Sequence, residues 1–136
     1  MSNIRLTHVS VDPSNQRIFF KIYEKREKKL FPPHHPYVTE GGYEVGDEVI
    51  SNRKTRKLTT KEVEDNQIAH GIHVYSNNVV AEIRMSELAA RYGLKYELYG
   101  VGCAAKDFIA KWTDGLVDTV AFMKVKILFK VPQIKS

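Results

Sequence analysis

The sequence predicts an α+β domain, a mainly antiparallel β-sheet with one long helix packed on it. The first reason is the stretch 70–93, HGIHVYSNNVVAEIRMSELAARYG, which joins a β-branched and aromatic strand to a helical period. The second is that no other segment sustains so long a helical period. The third is the apolar–polar alternation on both sides of it, around residues 4–11, 17–24, 95–103 and 117–131. A chain of 136 residues is long enough to bury a core as one domain, so a single unit over 1–136 is expected.

The central helix has the clearest signals. Ser76, Asn77 and Asn78 offer side-chain oxygens to the orphan N–H groups of a helix start. Ala81, Met85, Leu88 and Tyr92 fall on one face, while Glu82, Arg84, Glu87 and Arg91 turn away. Gly93 stands where a left-handed cap is wanted. Before the helix, residues 4–11 alternate as a strand, Asp12, Pro13, Ser14 and Asn15 make a turn, and residues 17–24 return as a second strand. The two together predict a hairpin. The charged run 25–29 and three prolines among residues 32–36 make 25–42 a single long loop. Residues 43–50 suggest two short strands about Gly46 and Asp47, and Thr59 with Glu62 has the capping-box spacing of a short helix to about Asn66. After the helix, residues 95–103 form a strand loosened by Gly100 and Gly102, and 107–112 fit a helical turn or a bulged strand. Asp114 and Gly115 mark a hairpin turn, and residues 117–131 close the chain as one long strand, for about six strands in all.

Composition bounds the function. No apolar run approaches the roughly 18 residues a bilayer demands, and residues 1–12 lack a signal-peptide core, so a cytoplasmic protein is expected. One cysteine, Cys103, excludes an internal disulfide. A net charge of +5 favours an anionic partner, although it also serves solubility.

Catalytic signals are weak. His70 and His73 would face opposite sides of a strand unless the backbone bends at Gly71, and His34–His35 lacks ligands at zinc spacing. Cys103 follows a glycine in a strand and reads as a buried thiol. Asp107 and Asp114, near Phe108 and Trp112, are the carboxylates in mixed surroundings. Neither a Walker loop nor a complete GxGxxG occurs. The basic runs are more informative: Arg53, Lys54, Arg56 and Lys57 contain no acidic residue, and Lys25, Arg26, Lys28 and Lys29 form a second group. Guanidinium forks suit phosphate oxygens, and aromatic residues able to stack on a base are plentiful.

The segments VSVDPSNQRIFFKIYEKR, YEVGDEVISNRKTRKLTTKEVEDNQIAHGIHVYSN and YELYGVGC, in that order over residues 9–103, resemble the small phage-encoded proteins of the Thoeris anti-defence 1 family. The resemblance implies a homo-oligomer, dimer or higher, in the host bacterial cytoplasm. It would act as a sponge for a cyclic ADP-ribose isomer, with other cyclic nucleotides such as cyclic oligonucleotides as further ligands, and would not degrade them. No catalytic residue, metal, cofactor or membrane is implied. For such a ligand, chemistry selects Arg56, Arg53, Lys57 and Arg26 for the phosphates and Tyr43, Tyr99 and Phe108 for the adenine. Two other classes stay open. A nucleotide-processing or ADP-ribosyl-transferring enzyme would need an activated carboxylate or histidine. A nucleic-acid-binding module on the same basic segments is the less favoured and would show steep salt dependence.

Overall fold

The structure is a computed structural model and describes residues 7–33, 42–51, 59–64, 71–114 and 117–132. In chain order its elements are β1 (Thr7–Ser10), β2 (Ile18–Arg26), β3 (Lys29–Phe31), β4 (Glu48–Ile50), α1 (Thr60–Glu64), β5 (Ile72–Tyr75), α2 (Asn78–Tyr92), β6 (Tyr96–Gly102), a 3₁₀ turn (Ala105–Asp107), β7 (Phe108–Asp114), β8 (Val117–Phe122) and β9 (Lys124–Lys130). The strands form one antiparallel sheet in the order β1-β7-β8-β5-β2-β6-β9-β4, with β3 added to the end of β2. The fold is α+β, with α2 as its one long helix.

The sheet cannot be flat. Phe122 ends β8 and Lys124 begins β9, so a single residue joins two strands that lie four steps apart in the sheet. Two residues of chain span at most about 7 Å, whereas four strand spacings amount to about 19 Å. The sheet therefore curls until its interior face meets itself. Phe19, Tyr23, Val74, Tyr99, Val101, Phe108, Phe122 and Ile127 fill that interior, none more than 3% exposed. Phe122 packs edge-on against Phe19 and Phe108, with centroids 5.0 and 5.8 Å apart. Outside, Ala81, Met85 and Leu88 of α2 cover Ile22, Tyr96 and Leu98. A smaller outer cluster joins Ile109, Ala110, Trp112 and Ala121 to Val9 and Val11.

The helix boundaries match the sequence reading closely. Asn77 Oδ1 accepts from the N–H groups of Val79 and Val80, and Gly93 caps the other end at φ 68°. Thr59 and Glu62 bond reciprocally at 3.0 and 3.2 Å, the expected capping box.

Strand pairing departs from it in three places. β1 and β2 are not a hairpin: β1 pairs with β7, while β2 lies between β5 and β6. A nine-residue strand with Phe19, Ile22 and Tyr23 buried belongs at the centre of the sheet rather than at an edge. The region 25–42 is not one loop, because β2 continues to Arg26 and turns through Glu27, φ 55°, into β3. Salt bridges from Lys25 to Glu97 and from Arg26 to Glu24 satisfy charges that look like loop chemistry, and Leu30 is buried beside them. The last long strand breaks at Met123, whose N–H bonds Asp107 O at 2.7 Å, so β8 and β9 join opposite sides of the sheet. Segment 107–112 is mostly strand, entered through the 3₁₀ turn and bulged between Phe108 and Ala110. The described strands number nine rather than six.

Candidate ligand cleft at the barrel mouth

Register brings the start of β2, the end of β5, the end of β7 and the start of β8 to one end of the curled sheet. Phe20 lies opposite Tyr75, Tyr75 opposite Thr119, and Thr119 opposite Trp112. A cleft of about 670 Å³ opens there, a volume in the range of small-ligand sites, and barrel mouths are a common place for them.

Its floor is apolar and comes from the core. Phe19 and Val120 face it from the interior, and Trp112 borders it. Trp112 is held edge-on by the His73 ring, with centroids 5.2 Å apart, which gives the indole a fixed plane. The polar groups come from the rim. Lys111 lies opposite Val120 and supplies an amine; among the described residues no carboxylate pairs with it. Thr113 Oγ1 donates to Asp118 Oδ1 at 2.7 Å and fixes that carboxylate. The Gln16 amide donates to Ile18 O and to Ser76 O, tying the 14–18 turn to the end of β5. His8 enters through a bulge: the β1–β7 ladder takes an extra residue between Thr7 and Ser10, and His8 adopts φ 53°. Bulges re-aim side chains beside sites, and a non-glycine residue at positive φ costs stability that the surroundings must supply.

Inside the barrel lies a second set of polar groups. Lys21 alternates with Phe19 and Tyr23, donates to His73 O at 3.1 Å and sits 5.5 Å from the Tyr23 ring. Burial lowers its pKa to about 8, against a small opposing influence of Cys103. The Cys103 thiol is pushed up to about 12, chiefly by burial and then by Asp107, so it stays protonated and unreactive at neutral pH. Tyr23 is raised as well, again mainly by burial. Among the described residues the Tyr23 hydroxyl and Asp107 Oδ2 are buried without a hydrogen-bond partner.

Of the residues that sequence chemistry selected, the described ones are not gathered at this mouth. Arg53, Arg56 and Lys57 lie outside the described residues. Arg26 pairs with Glu24 at 2.8 Å and lies 4.4 Å from the Phe31 ring centroid, at the other end of β2. Tyr43 bridges to Leu30 and packs on the core. Tyr99 is 3% exposed with its hydroxyl on Glu97 at 2.9 Å, and Phe108 is 3% exposed among other rings, so both fill the interior and present no ligand face. Lys111, Gln16, Asp118 and His8 carried no sequence signal, because strand pairing alone brings them together. His73 stacks on Trp112, while His70 and the pair 34–35 lie outside the described residues. Among the described residues no group of three or more potential ligands could hold a metal. No described helix is long and apolar enough to cross a membrane.

No family model, curated protein or solved structure matches the chain.

Proposed function

We propose that the protein binds a phosphate-bearing nucleotide in the barrel-mouth cleft and holds it without chemical change. The observation that carries this reading is the lining of the cleft. Its apolar floor of buried Phe19, Val120 and Trp112 suits the edge of a base, the Lys111 amine suits a phosphate, and the Thr113–Asp118 pair suits ribose hydroxyls. A cyclic ADP-ribose isomer, the ligand implied by the resemblance to the Thoeris anti-defence 1 proteins, offers all these groups, and sequestering it would serve a phage against its host's immune signal. The same reading takes the protein to be a homo-oligomer. Light scattering after size exclusion should then give a mass above the 15.6 kDa of one chain.

Calorimetric titration with a cyclic ADP-ribose isomer tests the binding. Saturable heat is expected, with Lys111→Ala weakening affinity about 10- to 150-fold, the worth of one charge-assisted hydrogen bond of about 1.5–3 kcal/mol. Mass spectrometry of the ligand released on denaturation should return it intact. Conversion to product would point to the nucleotide-processing alternative. Equal affinity in wild type and Lys111→Ala would remove the cleft from the site.

A further inference from the structure

Beside the start of β2, the end of β6 and the start of β9 lies a second concavity of about 510 Å³. Arg17, Lys106, Lys124 and Lys126 line it. Among the described residues none of these four has a carboxylate at ion-pair distance, whereas Lys25, Arg26, Lys29, Arg84 and Lys130 all do. Two carboxylates stand nearby, Asp107 in the lining and Glu48 opposite Lys126 across the β4–β9 ladder.

The sheet presents apolar groups beside these cations. The β6–β9 ladder slips by one residue, from Gly100 opposite Phe129 to Val101 opposite Ile127, so Leu128 is the extra residue of a bulge. The bulge turns two consecutive large side chains onto two glycines. A Cβ on Gly100 would run into the Phe129 ring, and one on Gly102 would lie 3.2 Å from Leu128 Cδ1. Phe129 is nevertheless 43% exposed, Leu128 37% and Ile18, opposite Gly102, 44%. Lys124 and Lys126 alternate on one face of β9, about 6.6 Å apart along the strand, a spacing comparable to that of successive phosphates in an extended single strand.

We infer that this face binds single-stranded nucleic acid, with a base stacked on Phe129 and the phosphates along Lys124, Lys126 and their neighbours Arg17 and Lys106. Cations without a carboxylate partner follow a backbone, Arg17 among them although its Nη1 also donates to Ser14 O and Gln16 O. An exposed ring on a glycine floor takes bases, and the combination is the one used where single strands are held without sequence preference. The surface is distinct from the barrel-mouth cleft and from the basic segments picked out in the sequence.

Fluorescence anisotropy with a short labelled oligothymidylate tests it, using the full chain at about 50 and 200 mM salt. Wild type should bind with affinity falling steeply as salt rises. The double variant Lys124→Ala, Lys126→Ala should bind at least tenfold more weakly, with a log–log salt slope shallower by about 1.4 for two lost phosphate contacts. Phe129→Ala should lose roughly 5- to 150-fold, the worth of one stacked base. Lys126 and Phe129 are exposed and Lys124 is half-buried, so melting temperatures should stay near wild type and report intact folding. Failure of wild type to bind, or unchanged binding in both variants, overturns the inference. Displacement of the oligonucleotide by polyglutamate at equal charge concentration also overturns it, in favour of an acidic peptide. Loss of oligonucleotide binding in Lys111→Ala but not in the β9 variants would place the strand in the cleft and overturn this site alone.

Discussion

Lys21 shows how a residue's surroundings decide its chemistry. Its place between Phe19 and Tyr23 on β2 turns the amine into the barrel, where burial lowers its pKa from 10.5 to about 8. The unfolded chain therefore holds more protons than the folded one between about pH 8 and 10.5, and this group's contribution to stability rises across that window. Cys103 acts in the opposite sense. Its pKa rises from 9.0 to about 12, so its contribution is complete below pH 9 and is lost toward pH 12. The interval near pH 8–9 thus belongs mainly to Lys21. Denaturant titrations at pH 7, 8 and 9 should show a stability increase in wild type that is absent in Lys21→Met. An identical pH profile for both proteins would contradict a buried, titrating amine. Gly71 gives a second test at this scale. It holds φ 125°, and a Cβ there would meet Ile109 Cδ1 at 2.6 Å and Phe122 O at 2.9 Å. Gly71→Ala combines left-handed strain with overpacking, about 2–5 kcal/mol together, and should lower the melting temperature on the order of 10 °C. A melting temperature unchanged by this substitution would rule out the close approach of Gly71 to Phe122 O.

Among the elements, α2 was the most legible in sequence because everything that defines it is local. Asn77 accepts from Val79 N at 2.7 Å within the same turn, and Ala81, Met85 and Leu88 repeat at helical spacing. Asn77→Ala should cost about 1 kcal/mol, read as a shift in denaturation midpoint without a change in slope; no shift would show that the cap does not support the helix. The strands were legible as segments but not as partners, since pairing joins residues far apart in the chain. Residues 4–11 and 17–24 alternate as a hairpin would, yet the partner of β1 is β7, about a hundred residues on. Met123 is as apolar as Phe122 before it, and the run 117–131 marks the crossing only by a slip in the alternation, from Val120 and Phe122 to Val125 and Ile127. At 25–31 the charges themselves misled, because Arg26–Glu24 and Lys25–Glu97 pairing lets a charged strand sit beside buried Leu30.

At the level of the whole molecule, closure creates the candidate site. The curl that brings β8 to β9 also collects His8, Gln16, Ser76, Lys111 and Asp118 at one mouth, from segments with no shared motif. That is why the cleft was not legible in sequence, where the expectation of an anionic ligand rests on the net charge of +5 and the abundance of aromatic side chains and names no place in the fold. Charge runs point to a class of partner, but only pairing says which cations lack a carboxylate at ion-pair distance, and on β9, among the described residues, these are Lys124 and Lys126. The chain has a single tryptophan, Trp112, and it borders the cleft, so its fluorescence reports directly on occupancy. Titrating the protein with a cyclic ADP-ribose isomer should change Trp112 emission saturably, with the midpoint moved at least tenfold higher in Lys111→Ala. Emission that stays constant while calorimetry records binding would place the ligand elsewhere and contradict the barrel-mouth site.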